Sequence, residues 1–150
     1  MADLDLARRA VACPGWAWRP GMLARPDPNR TVTPELAWSD RFRVLGDGEV
    51  GGPCGAPEGW LPDLDDAATK GAVLGLVREA WGSPAAQATP VTERRLPAGS
   101  VSWTDCVWVV LGWRVAVYDA ADHVFGSLRA PYPTEAAALV AALEAAGRRT

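Results

Sequence analysis

Apolar positions along this chain recur with two periods, one helical and one extended. Leu4, Ala7, Ala10 and Val11 fall on one face at helical spacing. This predicts a short helix over residues 3–11, capped by Asp3 and stopped by Pro14-Gly15. Trp16-Ala17-Trp18 reads as extended chain, because side chains two apart share a face, and Pro20-Gly21 turns it. Residues 23–40 are polar and Pro-rich and read as a surface loop holding at most a short strand at Thr31 to Thr33. Arg41 to Leu45 alternates, with Phe42 and Val44 facing inward and Arg41 and Arg43 outward. Gly46-Asp47-Gly48 is a turn, and GEVGGPCGAPEG reads as a loose loop around residues 46–59, closed by Trp60-Leu61.

A second helix opens on Asp63, Asp65 and Asp66, whose charges complement the N-terminal dipole. Its apolar positions are Ala67, Val73, Leu74, Val77, Ala80 and Trp81, and Gly82 and Pro84 end it. Residues 83–90 read as a linker. A short polar strand follows at Val91 to Leu96, then the strongest β pattern, Val101 to Leu111. There Val101, Trp103, Val107, Val109 and Leu111 share one face, and Cys106, Trp108 and Val110 the other. Two apolar faces predict a central strand, interrupted by Asp105. Trp113 to Tyr118 continues after Gly112, Ala120 to His123 is a hairpin loop, and Val124 to Leu128 returns as a strand. The last helix begins at Thr134 after Pro133. Its stripe is Ala136, Leu139, Val140, Leu143 and Ala146, with Gly147 as its stop and Arg148 and Arg149 beyond.

The order helix, strands, helix, strands, helix predicts an α+β fold: one single-domain sandwich over residues 1–150, with an antiparallel β-sheet packed by about three helices. At 150 residues the chain buries enough surface to fold without a disulfide or metal. Its three cysteines, Cys13, Cys54 and Cys106, form no metal-binding spacing with the single His123 and suit a reducing compartment. The N-terminal run MADLDLARRAV has no secretory pattern. No stretch reaches the roughly 18 apolar residues of a membrane helix. The sequence therefore predicts a cytoplasmic protein with no membrane partner. A net charge of −3 and a pI near 5.1 argue against coating duplex nucleic acid, which depends on neutralising phosphates. A small anionic ligand in a local arginine pocket remains compatible with that charge.

Three runs carry a resemblance: ARRAVACPGWAWRPGML (residues 7–23), GWLPDLDDAATKGAVLGLVREAWG (59–82) and PYPTEAAALVAAL (131–143). They resemble a group of small bacteriophage and prophage proteins of unassigned function, and the layout resembles the phage α/β/α sandwich domain. The resemblance implies a phage origin, a bacterial host cytoplasm and a sandwich fold. It brings no catalytic residues.

Hydrolytic chemistry needs a nucleophile, a base and an orienting group. The sequence holds one histidine, His123, placed in a turn, and no G-x-S-x-G motif. Asp63, Asp65 and Asp66 suit Mg²⁺ by charge, but helix capping explains the same residues. The glycines at 51, 52, 55 and 59 lack the Lys-Ser/Thr of a phosphate loop. The sequence calls for no cofactor. What stands out is aromatic and cationic: eight Trp in total, and Arg at all but one of 15 basic positions.

Trp16, Trp18 and Arg19 offer a stacking face and a bidentate donor, with Arg41, Arg43, Arg94 and Arg95 joining if their strands share an edge. Core filling also explains the tryptophans, and the segment reads first as a core anchor with one face left for a ligand. On the ligand-binding reading the expected function is sequestration of a small anionic ligand, of the kind of a nucleotide immune signal, by a phage anti-defence sponge. The alternative is a protein–protein interaction module docking on a host or phage protein, since exposed Trp and Arg also build hot spots. A nucleotide-degrading enzyme is the third reading. Homo-oligomerisation is open under all three.

Overall fold

The computed structural model describes residues 3–29, 41–45, 49–50, 59–118, 123–126 and 130–149. Among these residues, three α-helices and seven strands make an α+β fold. In chain order these are α1 (Leu4–Ala12), β1 (Leu23–Pro26), β2 (Phe42–Leu45), β3 (Glu49–Val50), β4 (Trp60–Pro62), α2 (Ala67–Trp81), β5 (Gln87–Arg95), β6 (Val107–Val117), β7 (His123–Phe125) and α3 (Glu135–Gly147). The strands form two antiparallel sheets, ordered β3-β2-β1-β4 and β5-β6-β7.

All three helices start on the expected side-chain caps. Asp3 accepts the Leu6 N–H, Asp66 the Thr69 N–H and Thr134 the Ala137 N–H. Gly82 ends α2 in the left-handed conformation, φ 61°. Helix α3 is the hub. It packs on α1 and α2 and on all three strands of the second sheet. Its burial is wider than a single stripe: Ala138, Ala141 and Ala142 are buried besides Ala136, Leu139, Val140, Leu143 and Ala146. A helix enclosed by other elements on several sides is apolar nearly all round, and alanine lets those neighbours come close. Trp81 ties the hub together. Its indole Nε1–H donates to the Ala142 carbonyl at 2.9 Å, while its ring meets His123, Phe125 and the Arg149 guanidinium.

Helix α1 is held by two forked ion pairs. Arg8 donates to both oxygens of Asp27 (2.8 and 3.2 Å), which is buried just past β1. Arg9 spans both oxygens of Glu144 on α3, each at 2.8 Å. The first sheet meets α2 through the Leu23 N–H, which donates to the Thr69 hydroxyl at 2.8 Å.

Several local expectations are corrected. Residues 23–26, expected as loop, form β1 between β2 and β4, with Ala24 fully buried. Leu-Ala-Arg-Pro has little β propensity, so its two partner strands decide its conformation. The expected linker 83–90 ends at Ala86, and β5 begins at Gln87. Its Pro90 is tolerated because β5 lies at a sheet edge. Val101 to Leu111 is not one strand. Ser102 caps a 3-10 turn at Trp103–Asp105, and β6 then runs unbroken through Gly112. His123 belongs to β7 rather than to a loop, and β7 ends at Phe125. On α2 the buried residues are Thr69, Val73, Leu76, Val77 and Trp81, whereas Ala67 and Ala80 are exposed and Leu74 is half-buried. The helix meets α3 and the Leu23 amide rather than one flat sheet, which rotates its buried face. Of the loose loop around 46–59, Glu49–Val50 form β3; residues 46–48 and 51–58, and the strand expected at 31–33, lie outside the described residues.

Candidate functional site

The seven residues expected to bind a ligand are spread over three places. Trp16 and Trp18 lie together in extended chain after α1, their rings edge to face at 5.6 Å, half-buried against the main core. The Trp16 Nε1–H is buried and has no acceptor. Arg19, just beyond, is ion-paired to Glu79 on α2. Arg41 and Arg43 flank the start of the same helix. Arg41 lies 3.7 Å from the buried Asp63, and Arg43 meets Asp66 at 3.4 Å and the Gly21 carbonyl at 2.6 Å. Glu79 and Asp66 stand thirteen positions apart on α2, about 20 Å along the axis. Arg19 and Arg43 are thus anchored near opposite ends of that helix. Arg94 and Arg95 sit in the second sheet, on β5, where Arg94 donates to the Trp103 carbonyl and Arg95 pairs with Glu93.

The Asp63–Asp66 segment acts locally. Asp63 accepts from the Asp65 N–H, and Asp66 accepts from both the N–H and the hydroxyl of Thr69. Burial pushes the Asp66 carboxyl up, but those bonds and the Arg43 guanidinium outweigh it and hold it below its ordinary range. Among the described residues no group of His, Cys, Asp and Glu is placed to hold a metal ion, and no helix is long and apolar enough to cross a membrane. A depression of about 250 Å³ between the ends of α1 and α3 is lined by Arg9, Cys13, Glu144 and Arg148 among others, but its facing charges are joined in the Arg9–Glu144 pair. Burial pushes the Cys13 thiol up, away from the reactive thiolate.

The unusual surface lies elsewhere, on a two-stranded ribbon formed by the distal halves of β5 and β6. Here Thr92, Glu93, Arg94 and Arg95 pair with Val110, Val109, Trp108 and Val107. Directly paired residues share a face, so Trp108 and Val110 lie beside Arg94 and Thr92, and Val107 and Val109 beside Arg95 and Glu93. Neither face is covered. Trp108 is 69% exposed, Val110 56% and Val107 50%; at the tip, Trp103 is 72% and Val101 96% exposed. This reverses the expectation that two apolar faces make this part of β6 a buried central strand. Among the described residues the ladder to β7 spans Val115, Ala116 and Val117, so β6 is interior there, and past the Trp113–Tyr132 bridge it belongs to the exposed ribbon.

The ribbon is rooted at Gly112. The register slips between Val91 and Thr92, opposite Gly112 and Val110, which leaves Leu111 as the extra residue of a bulge. Tyr132 exchanges both backbone hydrogen bonds with Trp113 next to it, at 2.8 and 2.9 Å. Sequence reasoning placed Trp103 and Trp108 in a core. The signal against that was the partner strand: Thr-Glu-Arg-Arg needs water on both faces, and a strand paired to it shares those faces. Comparison with known protein families, with curated proteins and with solved structures finds no match to this chain.

Proposed function

We propose that this protein is a protein–protein interaction module whose working part is the β5–β6 ribbon. The observation that carries this reading is the exposure of Trp103 and Trp108 on one projecting element, with Arg94 alongside. Trp and Arg are the residues from which interface hot spots are built. A contiguous apolar surface of this kind in water marks a docking site. An open ribbon with large side chains exposed on both faces suits a protein surface as its partner.

A photocrosslinking residue placed at position 108 tests this in cells that carry the chain. It should capture a second polypeptide that the same residue at the exposed position 148 does not capture. Trp103→Ser should reduce the yield. Equal capture at both positions would overturn the reading.

Sequestration of a small anionic ligand of the nucleotide class is the second reading. It is supported by the adjacency of Trp16, Trp18 and Arg19 and by the Trp16 indole N–H that lacks an acceptor. It requires Arg19 to exchange Glu79 for the ligand. Calorimetry against cyclic and linear nucleotides tests it, with Arg19→Ala weakening any binding observed.

A further inference from the structure

The two outer edges of the ribbon differ. The β5 strand carries Pro90, Glu93, Arg94 and Arg95. Prolines and charges on an edge strand discourage the addition of another strand. The β6 edge reads Val-Trp-Val-Val-Leu from Val107 to Leu111, with neither a charge nor a proline. Beyond Leu111 the edge is taken, because Tyr132 binds the Trp113 backbone and β7 follows. Among the described residues no backbone group pairs with Val107–Leu111 from this side. Among the described residues, one five-residue stretch of edge, centred on Val109, is therefore left with main-chain donors and acceptors to satisfy.

We propose that a second copy of this chain occupies that edge. The two β6 strands run antiparallel about a two-fold axis at Val109, so that two ribbons join into one four-stranded sheet. The inference rests on the docking reading above and names its partner. Three features select a second copy. First, the stretch is self-complementary: a two-fold at Val109 sets Trp108 against Val110 and Val107 against Leu111, so each large side chain meets an apolar one. An isologous interface requires this symmetry. Second, Glu93, Arg94 and Arg95 lie one strand further out, so no like charges face each other at the seam. Third, the seam has apolar surface to bury: Val107, Trp108, Val110 and Leu111, the four that meet across it, are 50%, 69%, 56% and 39% exposed.

The geometry sets the test. Directly opposed residues of an antiparallel pair have Cα atoms roughly 4.5–5.5 Å apart, within the span of a disulfide. In a Cys106→Ser background, Val109→Cys should therefore form a covalent dimer on mild oxidation, and Glu93→Cys on the outer strand should not. Sedimentation of the unmodified chain should show a concentration-dependent dimer. Val109→Lys should weaken that dimer at least about tenfold with an unchanged circular dichroism spectrum.

A chain that stays monomeric throughout, a Val109→Lys variant that dimerises as strongly, or equal crosslinking from positions 93 and 109 would each overturn the proposal. A monomeric chain that is still captured through position 108 by a different polypeptide would leave the docking reading standing and remove only the second copy. A monomeric chain that captures no polypeptide through position 108 would remove both.

Discussion

Gly112 lies so close to Tyr132 that a Cβ built on it would stand 2.5 Å from the Tyr132 carbonyl oxygen, and 2.8 Å from the Pro131 side chain. This is where the ribbon leaves the body of the protein, and backbone packs directly on backbone there. Gly112→Ala should therefore destabilise the fold by about 1–3 kcal/mol, the cost of overpacking a site that cannot give. Gly71, inside α2, has nothing within 4 Å of its Cβ position. Gly71→Ala should stabilise by about 0.5–1 kcal/mol through helix propensity. Urea unfolding of the two variants checks the pair, and equal effects would contradict the packing at the root.

The hub helix offers a second test. Leu143 is fully buried on α3, and Leu143→Ala should cost about 2–5 kcal/mol. Trp81→Phe keeps an aromatic ring but removes the indole N–H bond to the Ala142 carbonyl, and should cost about 0.5–1.5 kcal/mol. A loss under about half a kcal/mol at Leu143 would mean that α3 does not sit between the second sheet and the other helices.

Acid should act on the Arg9–Glu144 contact. The hydrogen bond from Arg9 holds the Glu144 carboxyl below its ordinary range, against a smaller push upward from burial. A depressed folded value means that the unfolded chain binds the proton first. The contribution is complete above the unfolded value of about 4.3 and is lost as pH falls through the folded one. Asp66 shifts in the same direction. Stability should therefore fall as pH drops below about 4, and Glu144→Gln should flatten that limb. An unchanged acid limb in Glu144→Gln, measured by thermal melts across pH, would refute the contact.

The tryptophans should divide by location. Trp16 and Trp18 pack on the core, and Trp16→Ala should lower the melting temperature, costing about 3 kcal/mol or more. Trp108 stands in water, and Trp108→Ser should leave the melting temperature of the dilute monomer within a degree or two, at about ±0.5 kcal/mol. Matched melts of the two variants at low protein concentration decide this.

The sequence by itself determined the elements whose signals are local. Asp3, Asp66 and Thr134 cap helices because their side chains reach N–H groups three residues on, and Gly82 ends α2 because its backbone tolerates a left-handed turn. The alternation of Phe42 and Val44 against Arg43 likewise needs only the pleat of one strand. The α+β class follows from the order of such elements. What sequence could not decide was partnership. Leu23–Pro26 is a strand only because β2 and β4 flank it. The arginines sort onto Glu79, Asp63, Asp66 and Glu93 only once the helix and strands that carry those acids are in place. Val107–Leu111 shows the limit most clearly. Its apolar pattern is the same whether a core, a second chain or water covers it, because hydrophobicity records that a surface favours burial and not what buries it. Only the tertiary structure shows that β7 stops at Val115 and Tyr132 at Trp113, leaving Trp108 and its neighbours outside the core.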